Sequence, residues 1–253
     1  MNRTATELST QGWHFQRRFD APPTQFQVLG ERACGTNMIR KLIEKAWRIK
    51  RTEGLGWKHA VPAMVAIPER LVVVCVQREA FSWAGSLYKR PWHADTAMQQ
   101  LPFADFIRAE WAGVVDRTTD FEMVHPEVMV DGQSLQFDRH PITGQPFAYI
   151  FALRNLKAQA LLGMQNRGCD VIYVQLEAVQ RDAEGFIAAL GAAFDLAPTE
   201  RGFRPITRRM GNRFRPTVAN REPAPEVWHR DDRAFALSQL DTATEAAWGY
   251  AYT

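Results

Sequence analysis

The residues Gly30-Glu31-Arg32-Ala33-Cys34-Gly35-Thr36-Asn37 follow the short apolar run Phe26 to Leu29 and open a stretch with helical periodicity. The order strand, glycine loop, helix start aims several backbone N–H groups and the positive end of a helix at one point. That is a site for phosphate or sulfate. The spacing G-x-x-x-x-G is that of a phosphate-binding loop, but Thr36 and Asn37 stand where a nucleoside-triphosphate enzyme has Lys and then Ser or Thr. Such a cradle suits a nucleotide whose transferred group needs no metal. Thr36 and Asn37 are also helix-capping types, and the two roles can coexist.

Two other places carry chemistry. Arg78 ends an apolar run and Ser86 stands eight positions on, two turns into a helical pattern. A guanidinium and a hydroxyl so placed can reach one phosphate, the first by a bidentate charge-assisted contact and the second by a single hydrogen bond. Lys58-His59 closes a further short run at Trp57 to Ala60 and pairs a cation with a general-base type. Arg154 and Lys157 lie one turn apart and read either as a solvated helix face, the favoured reading, or as contacts to nucleotide or substrate. Glu177 reads as a structural carboxylate. His93 reads either as a turn residue or as part of an acceptor pocket.

These positions must be held by a scaffold. Strand-like runs occur at Phe26 to Leu29, around Trp57 to Ala60, at Leu71 to Val76 and at Val171 to Leu176. The third is almost wholly β-branched and apolar, as a strand covered on both faces would be. Helical patterns fall at Thr36 to Ile49, Phe81 to Tyr88, Phe103 to Asp116, Phe147 to Arg167, Ala183 to Phe194 and Asp231 to Ala247. Alternating strands and helices predict an α/β domain with a parallel sheet. Ligands of such sheets bind beyond the carboxyl ends of the strands, which is where the glycine loop, Lys58-His59 and Gln77-Arg78 fall.

At 253 residues with 46% hydrophobic residues, the chain can bury one sizeable core. One domain over 1–253 is expected, with 1–24 as an N-terminal extension and 201–225 as a basic loop. The net charge is only +3, yet seven arginines and no acid lie between Arg201 and Arg221. Basicity thus belongs to one segment and not to the whole protein. Three widely separated cysteines do not make a disulfide framework or a zinc knuckle, and a reducing cytoplasm is the expected compartment. No apolar run approaches the roughly 18 residues that cross a bilayer, and residues 1–25 are polar without a leader's apolar region.

The run Leu71-Val72-Val73-Val74-Cys75-Val76-Gln77-Arg78, with Phe81 to Tyr88 after it, is similar to the strand and helix around the 3′-phosphate site of the sulfotransferases that use 3′-phosphoadenosine 5′-phosphosulfate (PAPS). The glycine loop resembles that family's 5′-phosphosulfate loop, whose core reads Ser-Gly-Thr-Thr. Trp57-Lys58-His59 resembles the family's strand end bearing the catalytic base, and Val174 to Val179 with Asp182 resembles a later strand and helix start. Arg208-Arg209-Met210-Gly211 loosely resembles a segment that folds over the 3′-phosphate. The likeness runs from about Phe26 to about Leu196.

The resemblance implies a three-layer P-loop-like fold with a central parallel sheet flanked by helices, and PAPS as co-substrate without a metal. It implies that Arg32, Ala33, Cys34, Gly35, Thr36 and Asn37 hold the phosphosulfate, that Arg78 and Ser86 grip the 3′-phosphate, and that Arg208, Arg209 and Gly211 close over it. Ala33 occupies the place where many members carry Lys or Arg, so the cation there is Arg32 or Lys58. His59 takes the base role, with Lys58 and Arg32 beside it as the other catalytic candidates. The acceptor is a small molecule or a carbohydrate bearing a hydroxyl or amine, and no nucleic acid partner is expected. Two rivals differ in chemistry: a nucleotide or small-molecule kinase with a degenerate P-loop, and a non-enzymatic module binding anions or nucleic acid through the arginine-rich loop.

Overall fold

Leu71–Gln77 forms the central strand of the sheet, with every residue buried. The computed structural model describes residues 3–121, 130–207, 214–219 and 221–252. In chain order its strands are β1 (Trp13–Gln16), β2 (Gln25–Leu29), β3 (Lys50–Arg51), β4 (Leu71–Gln77) and β5 (Asp170–Gln175), and they lie in the order β1-β5-β4-β2-β3. Val74 of β4 sits opposite Val28 of β2 on one side and Ile172 of β5 on the other, both pairings being parallel.

The sheet departs from the expected all-parallel one in two places. β1, within the expected N-terminal extension, pairs antiparallel with β5, Trp13 opposite Val174. The strand expected at Trp57 to Ala60 does not form: those residues turn, held to β2's end by the bond from the Gly30 amide to the Lys58 carbonyl (2.9 Å). The edge position beside β2 goes to the two-residue β3.

Alternate residues of β4 face opposite layers, as the strand period of two requires. Val72, Val74 and Val76 pack in one core with Ile39 and Leu42 of α2 (Thr36–Ala46). Leu71, Val73 and Cys75 pack in another with Leu8 of α1 (Arg3–Thr10) and Trp248. Helices therefore flank the sheet on both faces. α2 buries Ile39, Leu42, Ile43 and Ala46, the spacing of a one-sided apolar stripe. α3 (Ala80–Lys89) starts where the Glu79 carboxylate accepts from the amides of Phe81 and Ser82.

Beyond α3 come the short helices α4 (Thr96–Gln100) and α5 (Phe103–Phe106). The helix expected through Asp116 stops there. Trp111, Gly113 and Val115 are buried while Ala112 and Val114 are not, which is the alternation of extended chain. Extension brings Gly113 so close to Asp138 that a β-carbon on it would lie 2.4 Å from the carboxylate. α6 (Ile150–Leu162), α7 (Leu176–Arg181) and α8 (Ala183–Phe194) follow. The helix expected over Asp231 to Ala247 is two, α9 (Arg230–Gln239) and α10 (Thr242–Ala247), because Asp241 turns its side chain back to cap the second.

α6 is not solvated on its polar side. Arg154 and Lys157 are 1% and 2% exposed, so the expected solvated face is a buried one. Lys157 Nζ lies 2.5 Å from Glu31 and 3.0 Å from Asp138. Arg32 Nη2 donates to both Asp138 oxygens at 2.8 and 2.7 Å, and its Nε lies 2.9 Å from Glu31. The indole of Trp111 donates to Asp138 as well (2.8 Å). Two cations and two anions thus neutralise one another beneath the glycine loop.

Burial alone would raise the Asp138 carboxyl pKa, but Arg32 and Lys157 outweigh it and hold the group far below its ordinary value of 3.8. Its stabilising share is complete above that value and is lost as pH falls toward the lower folded one. Asp138→Asn, which leaves buried charge uncompensated, is expected to lower the unfolding free energy at neutral pH by about 3–5 kcal/mol in urea denaturation; a loss below ~1 kcal/mol would show that the quartet does not hold the fold.

Candidate functional site at the strand ends

The carboxyl ends of β2, β4 and β5 deliver Gly30, Arg78 and Leu176 to one rim of the sheet. Gly30 is required where β2 leaves the sheet, since a β-carbon there would sit 2.6 Å from the Val76 carbonyl. Gly35 has φ 84° and faces Leu176, whose side chain a β-carbon would meet at 2.4 Å. Together they bring the loop down onto β4 and β5 and launch α2 from the rim.

The Arg32 amide donates to the Glu31 carboxylate (2.7 Å) and the Cys34 amide to the Glu31 carbonyl (3.2 Å). No side chain caps α2. The amides of Gly35, Thr36 and Asn37 therefore open the helix toward the rim, where its positive end also points.

Two expected loop contributions do not survive. Arg32 is 1% exposed, its guanidinium held inward by Glu31 and Asp138 and flanked by the rings of Trp57 and Trp111 at 5.4 and 5.1 Å. It cannot turn to a ligand without leaving two buried carboxylates to share the single charge of Lys157. Cys34 is fully buried with its thiol directed to the Gln77 side chain, and burial pushes that thiol's pKa up to about 12. It is an inert packing group. Ala33, at φ 64°, presents its carbonyl and not a side chain.

The missing ammonium arrives from another segment. Lys58 Nζ donates to Asn37 Oδ1 at 2.8 Å, at the first turn of α2. Burial, then the nearby Arg40, lowers its pKa. On the opposite side Arg78 donates to the Ala33 carbonyl at 3.1 Å. One loop is thus held between two cations, one from the turn after β3 and one from the end of β4. Of the two candidates for the loop's cation, the geometry brings Lys58 to it and keeps Arg32 away.

His59 adjoins Lys58 and is 9% exposed. Its Nδ1 lies 2.5 Å from the Gly30 carbonyl, which can only accept, so Nδ1 carries the proton and Nε2 keeps its lone pair. Burial, reinforced by Lys58 and Arg32, drives its pKa well below 6.5. The ring is neutral at physiological pH.

Arg78 and Ser86 line one groove of about 360 Å³, within the size range of small-ligand pockets. One wall is the exposed stripe of α3, with Phe81, Ser82, Gly85 and Lys89; the other is Ala224, Pro225, Glu226 and Trp228. Lys89 was not among the expected site residues, although Ser82, Ser86 and Lys89 follow the helical three-to-four spacing in the sequence. Arg221 of the basic segment binds the carbonyls of Gln99 and Tyr88 and covers the Tyr88 ring, so it is structural. Arg208, Arg209 and Gly211 lie outside the described residues. Among the described residues no group of three or more His, Cys, Asp or Glu is placed to hold a metal ion, and no helix is long and apolar enough to cross a membrane.

His93, at φ 61°, is a buried turn residue bound to Asp116 at 2.6 Å. Glu177 is the carboxylate facing Arg78, at 3.9 Å. Compared with protein-family models, with curated proteins and with solved structures, the chain has no match.

Proposed function

We propose that this protein is a sulfotransferase that moves the sulfuryl group of PAPS to a hydroxyl or amine of a small-molecule or carbohydrate acceptor, in a P-loop-like fold. The observation that carries the reading is the double grip on the glycine loop: Lys58 at Asn37 and Arg78 at Ala33, with Arg78 continuing into the groove that Ser86 lines. Two anion sites on one ligand require the loop and the groove to adjoin, and Arg78 is the residue that touches both. A nucleotide with phosphates at both its 5′ and 3′ positions spans such a pair, whereas a nucleoside triphosphate leaves the second site empty.

In this reading the amides of Gly35, Thr36 and Asn37 and the Lys58 ammonium bind the 5′-phosphosulfate. They stabilise the phosphate oxygen as the bond from sulfur to it breaks. Arg78 and Ser86 hold the 3′-phosphate and fix the line of attack, since sulfuryl transfer, like phosphoryl transfer, depends on in-line positioning. His59 Nε2 takes the proton of the acceptor as the new bond to sulfur forms. Adenosine 3′,5′-bisphosphate leaves with the phosphate charge that Lys58 has balanced. The low pKa of His59 supplies a base already deprotonated at neutral pH.

Calorimetry with adenosine 3′,5′-bisphosphate tests the nucleotide site. The parent chain is expected to bind in the presence of EDTA, with Arg78→Ala at least about tenfold weaker, the order of a lost charge-assisted contact, and Ser86→Ala weaker by a smaller factor. Equal affinity of the parent and Arg78→Ala removes the basis of the reading.

The base role has its own test. His59→Ala is expected to cut turnover by about 10²- to 10⁴-fold while leaving bisphosphate affinity within about twofold of the parent. The parent's kcat/KM should stay level as pH falls through 6.5, the ordinary histidine value, and drop only below it. Undiminished activity in the variant would assign proton removal to another group.

A further inference from the structure

Arg78 occupies a bend where β4 gives way to α3, and that bend is bound by three side chains from distant parts of the chain. Arg154 Nη2 donates to the Arg78 carbonyl at 2.8 Å, while the same guanidinium pairs with Glu245 at 2.7 and 2.8 Å. Tyr252 donates its hydroxyl to Glu245 at 2.9 Å and accepts from the Ala80 amide at 3.1 Å. The Arg78 carbonyl and the Ala80 amide, the backbone that leaves Arg78 for α3, are therefore tied to one buried ion pair through the carboxy-terminal segment.

The side chain of Arg78 is held by a second route. Glu177, just past β5, places Oε1 3.9 Å from Arg78 Nε and accepts the Glu79 amide at 3.0 Å. Its other oxygen accepts the Tyr250 hydroxyl at 3.0 Å. With Oε2 fixed by Tyr250, the carboxylate cannot rotate away from the guanidinium. Burial raises the pKa of both phenols, so both remain protonated donors.

We propose that Tyr250 and Tyr252 are positioning residues that set the guanidinium of Arg78 for the nucleotide's 3′-phosphate, an inference that rests on the sulfotransferase reading. They touch no ligand and act through Glu177, Glu245 and Arg154. Without them Arg78 keeps its charge but samples several orientations, so the cost falls on the 3′-phosphate contact. The 5′ end of the nucleotide keeps the loop amides and Lys58 and loses only the hold of Arg78 on the Ala33 carbonyl, so it is affected less.

Calorimetry on the full chain, with adenosine 3′,5′-bisphosphate and adenosine 5′-monophosphate as paired probes, separates these possibilities. Tyr250→Phe and Tyr252→Phe should each weaken the bisphosphate by about threefold to tenfold, the worth of one hydrogen bond, and the monophosphate by clearly less, within about twofold of the parent. In an Arg78→Ala background the same substitutions should have no further effect. Glu177→Gln, which keeps the shape but removes the charge facing Arg78, should reproduce the Tyr250→Phe selectivity. Equal weakening of both probes, or additive loss in the Arg78→Ala background, would show a general structural role and overturn the proposal. Tyrosine variants matching the parent while Arg78→Ala weakens binding would overturn it and leave the nucleotide reading intact. Failure of the parent to bind the bisphosphate would remove the reading itself, and the positioning role with it.

Discussion

Four charges buried beneath the glycine loop govern how this site is built. Glu31 and Arg32 belong to the loop, Asp138 to a segment more than a hundred residues later, and Lys157 to α6. In a medium of low dielectric each is tolerable only while its partners stay in place. The loop is therefore pinned from below by pairing and not by its own turn propensity. Arg32 faces inward as a consequence, and any charge offered at the outer side of the loop has to come from elsewhere. Lys58 and Arg78 provide it from two different chain segments, and each bonds directly to the loop.

The same concentration of cations shapes His59. Burial disfavours its protonated form, and Lys58, Arg32 and Lys157 push in the same direction, against the opposing pull of the Gly30 carbonyl. Groups that would attract an anionic donor thus also keep the neighbouring imidazole free of its extra proton. A cationic pocket with an unprotonated base is the combination that group transfer between an anion and a hydroxyl requires. A histidine in open solvent would be partly protonated near neutrality and repelled by the same lysine.

Much of this scaffold is legible in the residues. The run Leu71 to Val76 can only be a strand covered on both faces, and it is the centre of the sheet. Ala183 to Phe194 forms a helix over the expected span, because Asp182 caps its start and Asp195 in the left-handed region ends it. The glycine loop falls between β2 and α2 as its spacing predicts. What escaped was set by partners remote in sequence. Trp57 to Ala60 has strand composition, yet it forms a turn bonded to Gly30. Trp111 to Val115 shows helical periodicity, yet it is extended because Trp111 and Gly113 must reach Asp138. No local pattern tells an arginine destined for a ligand from one destined for a buried carboxylate, so Arg32 could not be told from Lys58. Arg78 and Ser86 were legible as a strand end and a helix position eight residues on, and they line one groove. Lys89, Tyr250 and the facing role of Glu177 depend on tertiary approach.

Helix α6 ties the end of β4 and the glycine loop to one support. Arg154 and Lys157 read as a solvated face because charged residues one turn apart on a helix usually are. Each is instead buried and answered by acids from distant segments, Glu245 for the first and Glu31 with Asp138 for the second. Arg154 holds the backbone of Arg78, and Lys157 holds the underside of the glycine loop. Three residues on a helix advance about 4.5 Å along its axis, and that rise does not flex appreciably. The backbone of Arg78 and the underside of the glycine loop are consequently referred to one rigid element and not only to the loops that carry them. On the proposed reading, in which both ends of one ligand are held in line, alignment comes from such a shared support, where two independently mobile loops would each add their own positional error.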